Sequence, residues 1–472
     1  YYGGHLTATL LSWLTATPPR SPRRRRTPRV PGCTRTAAFE LAAAVGADRG
    51  VSRRVAGGFA AFFVGVASNL VTAGRFALLA LPGSLDRVAA GYVAARTDYT
   101  VETLLAGAGS FSYWSASRVI PGTINEFPLF AWVNGDLHAH MMGTPTLLLA
   151  AAVGYAYYRT PASAVGRRRA LLFGVLPVLA AWQAVVDTWS FPSVLAVGWL
   201  AATFAPADPW TLLPAGGRLR SRLPGSGRGA GVGTSEVERV GGALVVAAVG
   251  ATAATVLAAP FLFGAATGGG ERSVELLGPE LRSGLGPLLL VHGAFLAGLG
   301  GYLLARVRIA RPWVLAGAGA VAAGVGLQVG IAALAVSVPL LLLAWVALRV
   351  SDDVGYEAVL VVAGAGLVTL VEVVYVNEQA GPGRMNTVFK TYMQVWVFLG
   401  TAMGVALAGL WAGGGSARRE VDSPAARDLD RVAAHAGASP GAIELDGRDR
   451  ARVGSRGAAA GRTGAALDPG WR

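Results

Sequence analysis

Charge is scarce in this chain. Asp, Glu, Lys and Arg make up 14% of its 472 residues, against about 25% in a soluble globular protein. A deficit this deep, spread over most of the length, excludes a surface solvated mainly by water; much of it must face lipid. Lysine is nearly absent, since Lys390 is the only one among 41 basic residues. Cysteine is limited to Cys33, which excludes an intrachain disulfide and a thiolate zinc site. No repeat at a solenoid period is evident. The chain opens on Tyr1 rather than Met, which reads as a missing upstream piece.

What remains is apolar: 53% hydrophobic residues with 65 glycines and a mean hydropathy of +0.48. A spanning helix needs about 20 mainly apolar residues, because every backbone N–H and C=O must be satisfied inside the segment. Such stretches fall near 4–17, 55–74, 137–158, 170–186, 191–205, 240–263, 284–304, 312–328, 331–349, 357–375 and 394–412. Residues 37–48 read as the remnant of one more. The fold class expected is therefore all-α integral membrane, a polytopic bundle of about eleven transmembrane helices. Its many small residues favour close helix approach.

The organisation expected is a membrane domain over 1–412 and a polar, disordered tail over 413–472. Arginines recur in alternate loops: Arg53 and Arg54, Arg167 to Arg169, Arg218 to Arg228, Arg306 to Arg311, Arg349, and Arg418 with Arg419. By the positive-inside rule these loops are cytoplasmic, including the Gly/Arg loop 207–239, and the protein is a multi-pass protein of the cell membrane. Segment 18–36 is anomalous, with seven arginines, several prolines and no acid, half of the net charge of +14. It is read as a solvated or lipid-contacting run, or as a helix replaced through a reading-frame error. No aromatic stacking pattern accompanies the arginines, so nucleic acid is not expected as a partner; membrane lipid is.

On the opposite face four polar clusters gather: Tyr1–His5, Asn125 to His140, Asp187 to Pro192, and Glu372 to Lys390. Asp136 and His140 are four apart and share a helix face. They could be a general base with its orienting partner, or two ligands of a divalent metal; the plain alternative is a helix cap. Glu372 with Arg384 and Lys390 could hold a phosphate, or form a salt bridge that fixes a loop. Asp187 and Trp189 could set a carboxylate and a ring beside a sugar, although tryptophans also anchor helices at interfaces.

The strings YYGGH, INEFPLFAWVNGDLHAH, DTWSFP and GRMNTVFKTYMQVW resemble the Chlor_Arch_YYY family of polytopic membrane proteins from archaea and Chloroflexi, over roughly 1–16 and 37–412. The resemblance implies a GT-C-like membrane glycosyltransferase using a polyprenyl-phosphate-linked sugar donor on the extracytoplasmic face. It implies Asp136 and Glu126 as the catalytic carboxylates, as base or metal ligand, and Asp136, His138 and His140 as ligands of Mg²⁺ or Mn²⁺, the histidines alternatively binding the donor phosphate. Tyr2, His5, Asp187, Trp189, Glu372, Arg384, Asn386 and Lys390 would bind substrate. The chain lacks the family's acidic DPW-type segment, carries 18–36 where the family has an apolar helix, and matches its C-terminal domain only loosely. It therefore looks like a partial or frame-disrupted member. Two other readings stay open: a transporter or lipid flippase whose polar residues line a pathway, and a non-catalytic membrane protein.

Overall fold

The first helix described, α1 (Arg29–Asp48), is alanine-rich over 37–47 and so a strong helix former. The computed structural model describes residues 29–95, 99–107, 113–135, 138–214, 216–220, 232–264, 272–307, 312–378 and 383–421. α1 packs against α2 (Arg53–Gly65), where a Cβ on Gly57 would lie 2.7 Å from the Phe39 ring. Small residues here set the distance between the helices. Asp48 closes the far end, pairing with Arg159 at 2.9 Å and accepting from the Tyr155 hydroxyl.

The chain then turns by 89° between α2 and α3 (Leu70–Leu79). Asn69 fixes the corner. Its Oδ1 accepts from Val71 N at 3.3 Å and caps α3, while its Nδ2 donates to Ala116 O at 2.6 Å. After α4 (Pro128–Val133), α5 (Ala139–Tyr158) packs against α1, α6 (Leu176–Val186) and α7 (Phe191–Phe204). α6 completes a helical run from Val165 that loosens into π-type turns at Ala170–Val175. Pro177 has no N–H to offer the carbonyl four residues back, which accounts for the break in the regular ladder.

Beyond these lie α8 (Val232–Leu262), β1 (Arg272–Leu276), α9 (Leu285–Arg306), α10 (Pro312–Gln328), α11 (Ala333–Val350), α12 (Tyr356–Val371), β2 (Val374–Glu378) and α13 (Met385–Val421). α13 is the central post: 78% of its most apolar window is buried, against 44% or less for the other long apolar helices. Glycines on both sides of its contacts admit close approach, with Gly364 of α12 against Leu399 and its own Gly404 against the α2 backbone. β1 and β2 form an antiparallel pair in which Arg272 stands opposite Glu378 and Glu275 opposite Tyr375.

Among the described residues, five helices are long and apolar enough to cross a membrane: Val165–Val186, Glu236–Leu262, Leu285–Arg306, Ala333–Val350 and Met385–Gly413. A sixth is obtained if the bent pair α2–α3 counts as one span. The expectation of about eleven is thus overturned, and with it the GT-C-like bundle. The reasons are local. The stretch at 55–74 is broken at the Asn69 corner. The 14 residues of α7 reach only about 21 Å at 1.5 Å per residue, short of a hydrocarbon core of about 30 Å. α10 and α12 have 17 and 16 residues, and α5 is diluted by His140, Thr144, Pro145 and three tyrosines. The stretch at 4–17 lies outside the described residues.

The long helices leave large apolar side chains uncovered, among them Val178, Leu244, Val256, Leu304 and Leu342, as a lipid-facing surface requires. The protein is a multi-pass integral membrane protein of the cell membrane. By contacts the chain divides into Tyr1–Gly415 and Ser416–Arg472; of the second unit only the helical residues through Val421 are described. Of the anomalous segment 18–36, residues 29–36 are the first turns of α1 and the rest lie outside the described residues.

Candidate functional site

The loop leading into α4 is held by amides. Asn125 Nδ2 donates to Ala116 O at 2.7 Å, and its Oδ1 accepts from Val119 N at 2.8 Å. With Phe127 buried and Pro128 starting α4, Glu126 is turned inward, 1% exposed. There it meets His140 in the first turn of α5, with His140 Nε2 in close contact with Glu126 Oε2. The His140 ring lies 4.7 Å from Phe389 and stacks on His138 at 5.8 Å. Arg118 sits over Trp114 at 4.8 Å; burial lowers its pKa and the negative charge of Glu126 opposes that.

One turn along α5, Gly143 makes the next approach possible. A Cβ there would stand 2.3 Å from Gln183 Nε2 and 3.1 Å from the Asp187 Cβ. The bare backbone instead lets Gln183 donate to Gly143 O at 3.2 Å and brings Asp187 against α5. Asp187, between α6 and α7, is buried, accepting from Ser190 Oγ and from Trp189 N at 3.3 Å. Burial pushes its carboxyl above the ordinary aspartate value, opposed by His140, the two hydrogen bonds and Lys390.

Its sign sets a pH dependence. The native fold binds the Asp187 proton more tightly than the unfolded chain does. The stabilisation is present below the ordinary aspartate pKa and lost as pH rises through the elevated one. Asp187→Asn, neutral throughout, is expected to gain in melting temperature relative to the parent as pH rises above about 4. A thermal-shift series in detergent checks this, and the opposite trend would show that His140 and Lys390 hold the carboxylate ionised.

α13 supplies the cationic wall. Lys390 Nζ lies 4.7 Å over the Trp189 ring and 3.4 Å from Glu378 Oε2. One turn on, Gln394 Nε2 donates to Trp189 O at 3.3 Å. Glu378 also accepts from Asn386 at 2.9 Å and pairs with Arg272 at 3.1 Å. On the paired strands Glu275 accepts from Ser273 of its own strand and from Tyr375 and Asn377 of β2, which holds its carboxyl below the usual range.

A second cluster adjoins along the chain. Gly383, at φ +71°, makes the left-handed turn that starts α13. Arg384 follows, its Nη1 2.9 Å from Glu372 Oε1 and its Nη2 2.9 Å from Ser283 Oγ. Ser283 donates its hydroxyl to Glu372 Oε1 at 2.6 Å and its N–H to Oε2 at 2.9 Å. Arg384 and Glu372 are 4% and 1% exposed, a closed pair bridged by Ser283.

Of the residues singled out from sequence, Glu126, His138, His140, Asp187, Trp189, Asn386 and Lys390 thus form one connected set of side chains at the ends of α5, α6, α7 and α13. Glu372 and Arg384 form the adjoining pair. Tyr2, His5 and Asp136 lie outside the described residues. Among the described residues no group of three His, Cys, Asp or Glu could hold a metal, so no step is drawn through one. Sequence reasoning missed Gln183, Ser283 and Gln394. Gln183 carried a signal, as a lone amide in an apolar helix.

A multi-pass helical membrane protein with ionisable groups buried at the helix ends is the class that fold and site define. The chain belongs to the family described as Uncharacterized membrane protein (DUF2298), which it matches over residues 1–399. No curated protein and no solved structure matches it. The family match corrects the assignment to Chlor_Arch_YYY as GT-C-like glycosyltransferases, since it brings no glycosyltransferase activity and the fold has five or six candidate spans. The archaeal origin and the partial, frame-disrupted character inferred with it are unsupported as well; the match includes residues 18–36.

Proposed function

We propose that the protein is a membrane transporter of the flippase or ion-coupled kind, whose coupling site is the set Glu126, His140, Asp187 and Lys390. The observation that carries this reading is the convergence of the buried Glu126, His140 and Asp187 with the partly covered Lys390 ammonium, from four separate segments. Ionisable groups held inside a membrane bundle are costly, and they mark substrate or proton paths. The 89° corner between α2 and α3 and the π-type turns before α6 supply the interrupted helices on which such paths are built. Membrane lipid is the surrounding partner; a lipid-linked sugar has no support.

A pH jump applied to proteoliposomes on a solid-supported membrane reads the charge moved when the set changes protonation. The full-length protein is expected to give a transient current that Asp187→Asn reduces to the level of protein-free liposomes. A wild-type trace no larger than that of empty liposomes would refute the reading. So would an undiminished current in Asp187→Asn.

A further inference from the structure

A separate cavity of about 320 Å³ lies between α7, α11, α12 and α13, lined by Trp199, Leu341, Trp345, Gly366 and Leu370, with Ser193 its only hydroxyl. Its size and apolar walls are those of a small-molecule site. Trp199 presents its ring to the cavity, while its Nε1–H is buried away from it.

The Trp345 end of the cavity carries charge. The Trp345 Nε1 donates to Glu236 Oε1 at 2.9 Å, and that oxygen also takes Arg349 at 2.7 Å. Arg349 lies 4.7 Å over the Phe204 ring, which meets Trp345 edge-on at 4.6 Å. Arg239 joins it, since both guanidiniums donate to Thr203 O, at 2.7 and 3.1 Å. Glu236 is the one carboxylate hydrogen-bonded to either arginine among the described residues, and the nearby Asp208 is paired with Arg220 at 3.0 Å. Two guanidiniums and one carboxylate leave one positive charge at the end of an apolar slot.

We propose that this cavity binds an anionic phospholipid, with one chain along the α7–α12 groove against Trp199 and the phosphate at Arg349 and Arg239. Arginine pairs suit phosphate oxygens in geometry and charge, and basic pockets between membrane helices take anionic headgroups. The site is independent of the proposed coupling set.

Two of the indoles line the slot, so chain-brominated lipid reports occupancy by quenching their fluorescence. In detergent micelles, brominated phosphatidylglycerol is expected to quench the full-length protein at about one fifth the concentration needed for brominated phosphatidylcholine, the ratio set by one arginine–headgroup contact. Arg349→Gln should erase that preference. Gly366→Leu, which fills the slot, should remove the share of quenching that comes from Trp199 and Trp345, leaving that of exposed indoles such as Trp313 and Trp411. Trp199→Phe should remove its share while Arg349 still selects the headgroup, and it serves if Gly366→Leu fails to fold. Equal quenching by the two lipids overturns the proposal, as does full quenching in folded Gly366→Leu or in Trp199→Phe. Protection of the protein by inorganic phosphate alone, without chain quenching, would assign the arginines to a free anion and overturn it too.

Discussion

Arg384→Met is expected to destabilise the detergent-solubilised protein by about 3–5 kcal/mol, the usual result of removing one member of a buried ion pair. Glu372 then keeps its negative charge with no cation beside it, at 1% exposure. The loss belongs to the stranded charge more than to the missing attraction. Hence Glu372→Leu combined with Arg384→Met should recover much of it, because two apolar side chains in this site carry no desolvation penalty. Thermal unfolding of the parent, the single variants and the double variant measures the coupling. A double variant as unstable as Arg384→Met would mean that the pair does something other than neutralise itself there.

The second large effect falls at Gly404. A Cβ at that position would lie 2.6 Å from Ala56 O, Ala60 N and the Ala60 Cβ, so the obstruction is mostly backbone and cannot rotate away. Gly404→Leu is expected to force α13 off α2 and to cost more than the about 1–3 kcal/mol of ordinary overpacking. Gly58→Ala is the internal control. Nothing lies within 4 Å of its would-be Cβ, so this substitution should stabilise α2 by about 0.5–1 kcal/mol through helix propensity. Melting temperatures in one detergent separate the two, and a Gly404→Leu protein that melts with the parent would show that α2 and α13 separate freely.

Membrane residence is legible in the sequence because it depends only on composition and on runs of apolar residues, and α8, α9, α11 and α13 come out close to the stretches read from hydropathy. The span count is not legible in the same way. A hydropathy window passes over the Asn69 corner, since the residues on both sides are apolar, and it joins what Ser68 and Asn69 separate. It also credits α7, whose 14 residues are apolar but too few. The polar motifs point to the right neighbourhood because Asp187, His140 and Lys390 are rare in this chain and costly to bury. Their pairings are hidden. Ser283 meets Arg384 across 101 positions and Gln394 meets Trp189 across 205, and no local pattern encodes such distances. Glu372 beside Arg384 reads equally as a phosphate clamp or a bridge until Ser283 closes the third side. The two strands are invisible for a related reason: each has five residues and takes its stability from a partner about a hundred positions away.

That strand pair has a mechanical consequence. β2 begins two residues after Glu372 and ends on Glu378, which grips Lys390, while β1 is seven residues from Ser283. A ladder of five residue pairs therefore ties the two charge clusters through one small sheet. A displacement of Lys390 is expected to be felt at Arg384 through covalent chain and ladder together.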